Sequence, residues 1–288
     1  MKRVKRRRFN IAARIIVIAS VAAGFFLHWY LWKAPTSSSP DEARYAEISI
    51  VDAAASSSPI VATTSPVRLP ILVYHVVRPS YPSDSAAVRA IAHTPAVFDA
   101  ELAHLSDAGY HVISFRDLEA YIASSTPLPT KPVILSFDDG WKDQYEYAFP
   151  ILKKRHNTAT FFIFTNAVGR PSFVTWGNLT EMLAAGMTVG DHSRSHPFLK
   201  RITDPSRLSD EISGSKRLLE ERLGVPVAEF AYPFGQYDQA IVALVKQAGF
   251  RSARGDYWHG WTVGRDQLYT LSALNAPTTT AAFDRMFP

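Results

Sequence analysis

The sequence predicts an α/β architecture. It reads as one (β/α) barrel, incomplete or distorted, over residues 69–288, preceded by one N-terminal transmembrane helix. Three observations carry this reading. Short apolar runs rich in Val, Ile and Phe, seven or eight of them, alternate with helical patterns. Acids and histidines stand directly after several of those runs, where ligands gather at strand ends in parallel α/β folds. No internal repeat interrupts the alternation.

Composition bounds the function. The chain has 288 residues and no cysteine, so neither disulfides nor thiolate metal sites are available. Residues 1–33 hold eight basic residues (Lys2, Arg3, Lys5, Arg6, Arg7, Arg8, Arg14 and Lys33) and no acid; removing those eight from the formal net charge of +5 leaves −3. The basic character therefore belongs to the tail, and nothing marks the folded part for nucleic acid.

The N-terminus divides into a basic tail at 1–10, an apolar segment at 11–32 and a linker at 33–68. The apolar segment, Ile11 to Trp32, is about 22 residues long, enough to span a bilayer. Arg14 can snorkel to the basic end, and His28, Trp29, Tyr30 and Trp32 form an interfacial belt. The basic cluster stays in the cytoplasm, which directs the remaining chain to the periplasmic or extracellular side. A cleaved signal peptide is the rival; the length of the apolar stretch and the lack of an A-x-A site at the expected place favour an uncleaved single-pass signal anchor. The linker, rich in Ser, Thr, Pro and Ala, reads as a disordered tether.

The catalytic domain, 69–288, opens with a strand from Leu69 to Val77 that carries Tyr74-His75 near its end. Alone, His75 reads equally as a core histidine with one hydrogen bond. Thr94 and Pro95 start a helix with Phe98, Leu102 and Leu105 buried. His111 to Ile113 is a strand, and Ser114 caps the next helix. Pro132, Val133 and Ile134 favour a buried strand ending at Phe137. Trp141 to His156 is a helix that Pro150 kinks or breaks. Thr158 to Thr165 is a strand, and Thr175 opens a helix to Ala185. Met187 to Gly190 is a strand, Pro205 to Leu223 a long amphipathic helix, and Glu229 to Gly235 a strand end. Gln239 to Gln247 is a helix, Arg251 to Ala253 a short strand, and Arg254 to Arg265 a loop. Trp258 and Trp261 in that loop either stack on sugar faces or pack beneath it. Leu268 to Leu274 is the last strand.

Two motifs carry chemistry. Asp138-Asp139-Gly140 ends the strand at Phe137. Adjacent carboxylates repel unless a cation sits near, and a divalent metal allows one acid to be a ligand and the other a base. Taken alone, a solvated Asp-Asp-Gly turn explains the triplet as well. The second motif, Asp191-His192-Ser193-Arg194-Ser195-His196-Pro197, offers two histidines at i and i+4, the spacing of one side of a helical turn. Imidazoles with one carboxylate suit zinc, with nickel and cobalt as alternatives, and three protein ligands leave a position open for water.

Ser136-Phe137-Asp138-Asp139-Gly140 followed by His192-Ser193-Arg194-Ser195-His196-Pro197 resembles the polysaccharide deacetylase family, the NodB-homology carbohydrate esterases. The resemblance covers roughly residues 70–275. It implies a NodB-like distorted barrel, Asp139, His192 and His196 as metal ligands, and Asp138 as general base. Pro70-Ile71-Leu72 before Tyr74-His75, and Ala231-Tyr232-Pro233-Phe234-Gly235, resemble the poly-N-acetylglucosamine deacetylase branch. That likeness implies His75 as general acid and the Phe234 backbone N–H as oxyanion donor. The common pattern has an arginine where Ala231 stands, and a closing L-x-H histidine where this chain reads Leu271-Ser272-Ala273. The implied activity is metal-dependent removal of N-acetyl groups from an N-acetylglucosamine polymer, poly-β-1,6-N-acetylglucosamine foremost, outside the cytoplasmic membrane. Peptidoglycan, chitin oligomers and acetylated xylan are alternative substrates, and a sugar-binding membrane protein with a dead site is the rival from another class. The expected partners are the acetylated polysaccharide and the membrane; nothing in the sequence names a protein partner.

Overall fold

The structure, a computed structural model, describes residues 66–255 and 261–288. The expected tail, transmembrane segment and linker up to residue 65 lie outside the described residues, as do Trp258 and His259. Among the described residues no helix is long and apolar enough to cross a membrane. Val67–Arg68, expected in the linker, instead pairs antiparallel with Thr262–Val263.

One all-parallel sheet builds the core. In space its strands run Leu271–Ser272, Ser252–Gly255, Glu229–Ala231, Thr188–Asp191, Thr160–Ile163, Pro132–Phe137, Ile71–Tyr74 and Leu274–Asn275. His111–Ile113 pairs with the first half of Pro132–Phe137, and Thr160–Ile163 with its last two residues. The two edge strands are consecutive in the chain, parted only by Ala273. The sheet therefore curls until its ends meet in residues 271–275, giving a nearly closed parallel barrel of eight positions, with 271–275 counted as one. This is the expected distorted barrel. The last strand, expected unbroken from Leu268, is split at Ala273 because its two halves pair with different neighbours.

Alternation along the strands decides what faces inward. Ile71, Val73, Ile134, Phe162, Ala231, Leu271 and Ala273 share one buried cluster, the barrel interior. Leu72, Tyr74, Leu135, Phe137, Phe161, Val189 and Phe230 belong to a second, shared with the helices. A period of two then carries Asp138 and His192, one step past their strands, to the interior side of the rim. Gly190 is small because it must be: a Cβ there would lie 2.5 Å from two carbons of the Phe162 ring.

Three longer elements also differ from expectation. The strand expected from Leu69 to Val77 leaves the barrel at His75, and Val76–Val77 pairs instead with Ala92–His93. The helix expected from Trp141 begins as a π-helical turn, Gln144–Ala148, and continues as Phe149–Lys154. The Phe149 N–H reaches back to the Gln144 carbonyl, so the wide turn absorbs Pro150 in the first turn of the α-helix. The long helix after Pro205 is likewise Pro205–Ser209, a π-helical turn Asp210–Gly214, then Ser215–Leu223. Three further helix starts lie at the expected positions, Thr94, Ser114 and Thr175, each side chain accepting a backbone N–H of its first turn, whereas the short helix Ala86–Arg89, capped by Ser85, was expected as loop.

Candidate metal centre and active site

Parallel strands deliver their C-terminal ends to one rim. The register pairs Tyr74 with Phe137, Ile163 with Asp191 and Ala231 with Arg254, so the residues that follow these ends are neighbours. Asp138 stands one residue past its strand, its N–H donating to the Tyr74 carbonyl at 2.9 Å. Asp139 and Gly140 then turn sharply, both with left-handed φ (+73° and +72°). Asp tolerates that region better than most residues, and a Cβ on Gly140 would lie 2.9 Å from Ile163 Cδ1.

Asp139, His192 and His196 converge, their donor atoms all within 4.8 Å of one another. His192 Nε2 is 3.1 Å from His196 Nε2, and Asp139 Oδ1 is 3.8 Å from the first and 3.6 Å from the second. A tetrahedral ion with bonds of about 2.0–2.2 Å needs donor separations of about 3.4 Å, which these distances bracket. Two of the three ligands, His192 and Asp139, have their other polar atom held too. His192 Nδ1–H donates to the Ala231 carbonyl at 2.7 Å, which leaves the Nε2 lone pair facing its partners. Burial lowers the His192 imidazole to a pKa of about 4, so it stays neutral, as a ligand must. The Trp141 indole N–H donates to Asp139 Oδ2 at 3.0 Å, leaving Oδ1 for the cluster. The donor set and its spacing fit a divalent metal.

The histidine pair does not lie on a helical turn. Residues 192–196 form an irregular turn with Ser193 at φ +69° and His196 at φ +56°. The i, i+4 spacing brings the imidazoles together by this route instead.

Asp138 is buried beside the triad, with Oδ2 3.9 Å from His192 Nε2. Its Oδ1 is paired with Arg254, which is 0% exposed and lies over the Phe162 ring at 4.6 Å. Burial pushes the Asp138 carboxyl up, but the Arg254 guanidinium beside it outweighs burial and holds it below the usual carboxylate range. It is a carboxylate at neutral pH, within reach of anything held at the triad.

His75 is half-buried where the chain leaves the barrel. Gln144 Nε2 donates both to its carbonyl, at 2.8 Å, and to that of Asp138, at 2.5 Å, tying the two ends together. Phe234 also lies at the rim, left-handed at φ +57°, with its ring 4.5 Å from that of His196 and stacked on Phe198 at 3.9 Å. Asp138, Asp139, His192, His196 and Phe234 thus gather at one part of the rim, and His75 is joined to it through the backbone contact that Gln144 makes with both His75 and Asp138. Trp261 lies elsewhere: it stacks on Phe287 at 5.6 Å beneath the Arg68 guanidinium, the packed alternative for that side chain.

Sequence reasoning missed Arg254 and Trp141. Arg254 was expected to begin a loop, but it lies within the strand Ser252–Gly255, opposite Ala231. The missing arginine at Ala231 was the available signal: a buried carboxylate needs a cation, and the next strand supplies it.

The family model described as polysaccharide deacetylase matches residues 125–253. YxkH of Bacillus subtilis (strain 168), named for polysaccharide deacetylase, is 27% identical over 191 residues, covering 66% of this chain and 65% of that protein. The poly-β-1,6-N-acetyl-D-glucosamine N-deacetylase of Staphylococcus epidermidis is 28% identical over 156 residues, covering 49% of this chain and 54% of that one. The match spans under two thirds of these curated relatives' own length. The structure of the Streptococcus pyogenes deacetylase PplD in complex with acetate superposes with a TM-score of 0.71 at 26% identity, covering 77% of this chain and 98% of that one. The matched segment contains the Asp-Asp-Gly turn and both histidines and ends one residue before the partner arginine; over that segment the chain belongs to the polysaccharide deacetylase family.

Proposed function

We propose that this chain is a metal-dependent hydrolase that removes N-acetyl groups from poly-β-1,6-N-acetylglucosamine, on the outer face of the cytoplasmic membrane to which residues 11–32 anchor it. The observation that carries the chemistry is the juxtaposition of a two-histidine, one-aspartate triad with an ionised, buried carboxylate, Asp138, whose Oδ2 lies 3.9 Å from His192 Nε2. The choice of polymer is supported by the likeness to the staphylococcal enzyme and by the Tyr74-His75 and Ala231–Gly235 segments.

Asp139, His192 and His196 would hold the ion, zinc by its donor set. When bound, the ion supplies Lewis-acid polarisation of the acetamide and makes water a better nucleophile. Asp138 accepts the proton of the attacking water as the C–O bond forms. The backbone N–H of Phe234 donates to the oxygen that gains charge. His75 gives a proton to the amine nitrogen as the C–N bond breaks, leaving acetate and a glucosamine unit.

The test is acetate release by the chain from poly-β-1,6-N-acetylglucosamine, with metal stripped and restored. Release that needs metal and is lost in Asp138→Asn, with metal content kept, is the expected result. His75→Ala lowers turnover without lowering metal content. Release only from peptidoglycan, chitin oligomers or acetylated xylan would keep the mechanism and replace the substrate. Full turnover in Asp138→Asn would overturn the assignment of the base.

A further inference from the structure

The turn that carries both metal-ligand histidines cannot hold itself. Two of its five residues, Ser193 and His196, are non-glycine residues in the left-handed region, a conformation that persists only where the surroundings impose it. The surroundings come largely from the π-helical turn Asp210–Gly214. In an α-helix the Glu211 carbonyl would accept the Ser215 N–H. Here that N–H goes one residue further back, to Asp210, and the Glu211 carbonyl accepts the Arg194 N–H at 3.0 Å instead. The Glu211 side chain, buried, accepts the Ser195 N–H at 2.8 Å and also the Ser195 hydroxyl. Ser215, one position past the turn, has its hydroxyl 2.7 Å from both Asp191 Oδ2 and the Glu211 carbonyl, one hydrogen between two acceptors, while Asp191 Oδ1 accepts the Ser193 N–H at 2.8 Å. Ser193 Oγ in turn accepts the His196 N–H at 3.0 Å. The backbone N–H groups of residues 193 to 196 are therefore all engaged, and Glu211 takes the two in the middle.

We propose that Glu211 is a positioning residue for the metal centre: by clamping Arg194 and Ser195 it fixes the His192–His196 separation that the ion requires. This rests on the metal reading above. The π-helical turn is the device that makes the clamp, since regular helix would withdraw the Glu211 carbonyl from Arg194.

The test is zinc affinity of the full chain, stripped of metal, measured by competition with a chromophoric chelator, together with the visible absorption of the cobalt-loaded protein. Glu211→Ala is expected to weaken zinc binding by about tenfold or more and to change the cobalt bands, since loss of a residue orienting a ligand typically costs 10–100-fold in metal affinity. Glu211→Gln keeps an acceptor for the Ser195 N–H without the charge, and is expected to stay within about threefold of the wild type. Glu211→Ala with wild-type affinity and spectrum overturns the proposal and leaves the metal reading standing. Glu211→Gln as weak as Glu211→Ala also overturns it, because the effect would then be charge and not geometry. A wild-type chain that binds zinc no better than His192→Ala removes the metal reading and the proposal with it. If Glu211→Ala does not fold, Ser195→Ala decides: it removes the hydroxyl contact alone, and weaker zinc binding supports the clamp while unchanged binding overturns it.

Discussion

Replacing Arg254 with methionine removes the cation from a buried ion pair and leaves Asp138 behind. The side chains are 0% and 2% exposed, so water cannot take the place of the guanidinium. Breaking such a pair by deleting one partner costs about 3–5 kcal/mol, because the remaining charge is uncompensated in a low-dielectric site. At about 2–4 °C per kcal/mol for a domain of this size, the thermal midpoint should fall by roughly 6–20 °C. Asp138→Asn alone should cost a similar amount, since it strands Arg254 over the Phe162 ring. The double variant, with neither charge, should be more stable than the sum of the two losses by at least about 2 kcal/mol. Thermal and urea unfolding of the four proteins close the cycle. Additive losses, or an Arg254→Met midpoint within about 2 °C of wild type, would refute the view that this arginine compensates the base.

Three further outcomes follow from the geometry. Trp141→Phe keeps the ring but loses the N–H to Asp139 Oδ2, and should weaken zinc binding by about 10–100-fold, measured by chelator competition. Gly190→Ala places a Cβ against Phe162 in the barrel interior and should lower stability by about 1–3 kcal/mol in urea unfolding. Burial of Glu101 beside Tyr74 raises its pKa to about 8 from 4.5. Its folded pKa lies above its unfolded one, so its contribution is fully present below about pH 4.5 and is lost as pH rises through 8. Glu101→Gln should therefore gain stability over wild type by on the order of 1.4 kcal/mol per pH unit across that window. A stability difference that does not change between pH 5 and pH 8 would refute it.

Much of the fold was legible because its signals are local. A strand such as Pro132–Phe137 announces itself by β-branched and aromatic residues, and Thr94, Ser114 and Thr175 by the caps they form. The π-helical turns were not legible: nothing in Gln144–Ala148 or Asp210–Gly214 departs from helical composition. They arise because Pro150 follows the first, and because Arg194, distant in sequence, takes the Glu211 carbonyl in the second. The site divides the same way. Asp138, Asp139, His192 and His196 are short motifs whose spacing is visible along the chain. Arg254 and Glu211 reach their partners across 116 and 16 residues, and no pattern in the intervening sequence marks either.

The sequence by itself determined the parallel α/β class, the strand-end placement of the acids and histidines, and the donor chemistry of the triad, since these depend on periodicity and residue type. Only the tertiary structure decided that the sheet closes through residues 271–275, that the histidines meet across a left-handed turn, and that Arg254 stands in for the absent arginine at Ala231. Those outcomes depend on register between strands far apart in the chain. A shift of one residue would turn Arg254 and Asp138 to opposite faces of the barrel wall, and local sequence carries no record of that choice.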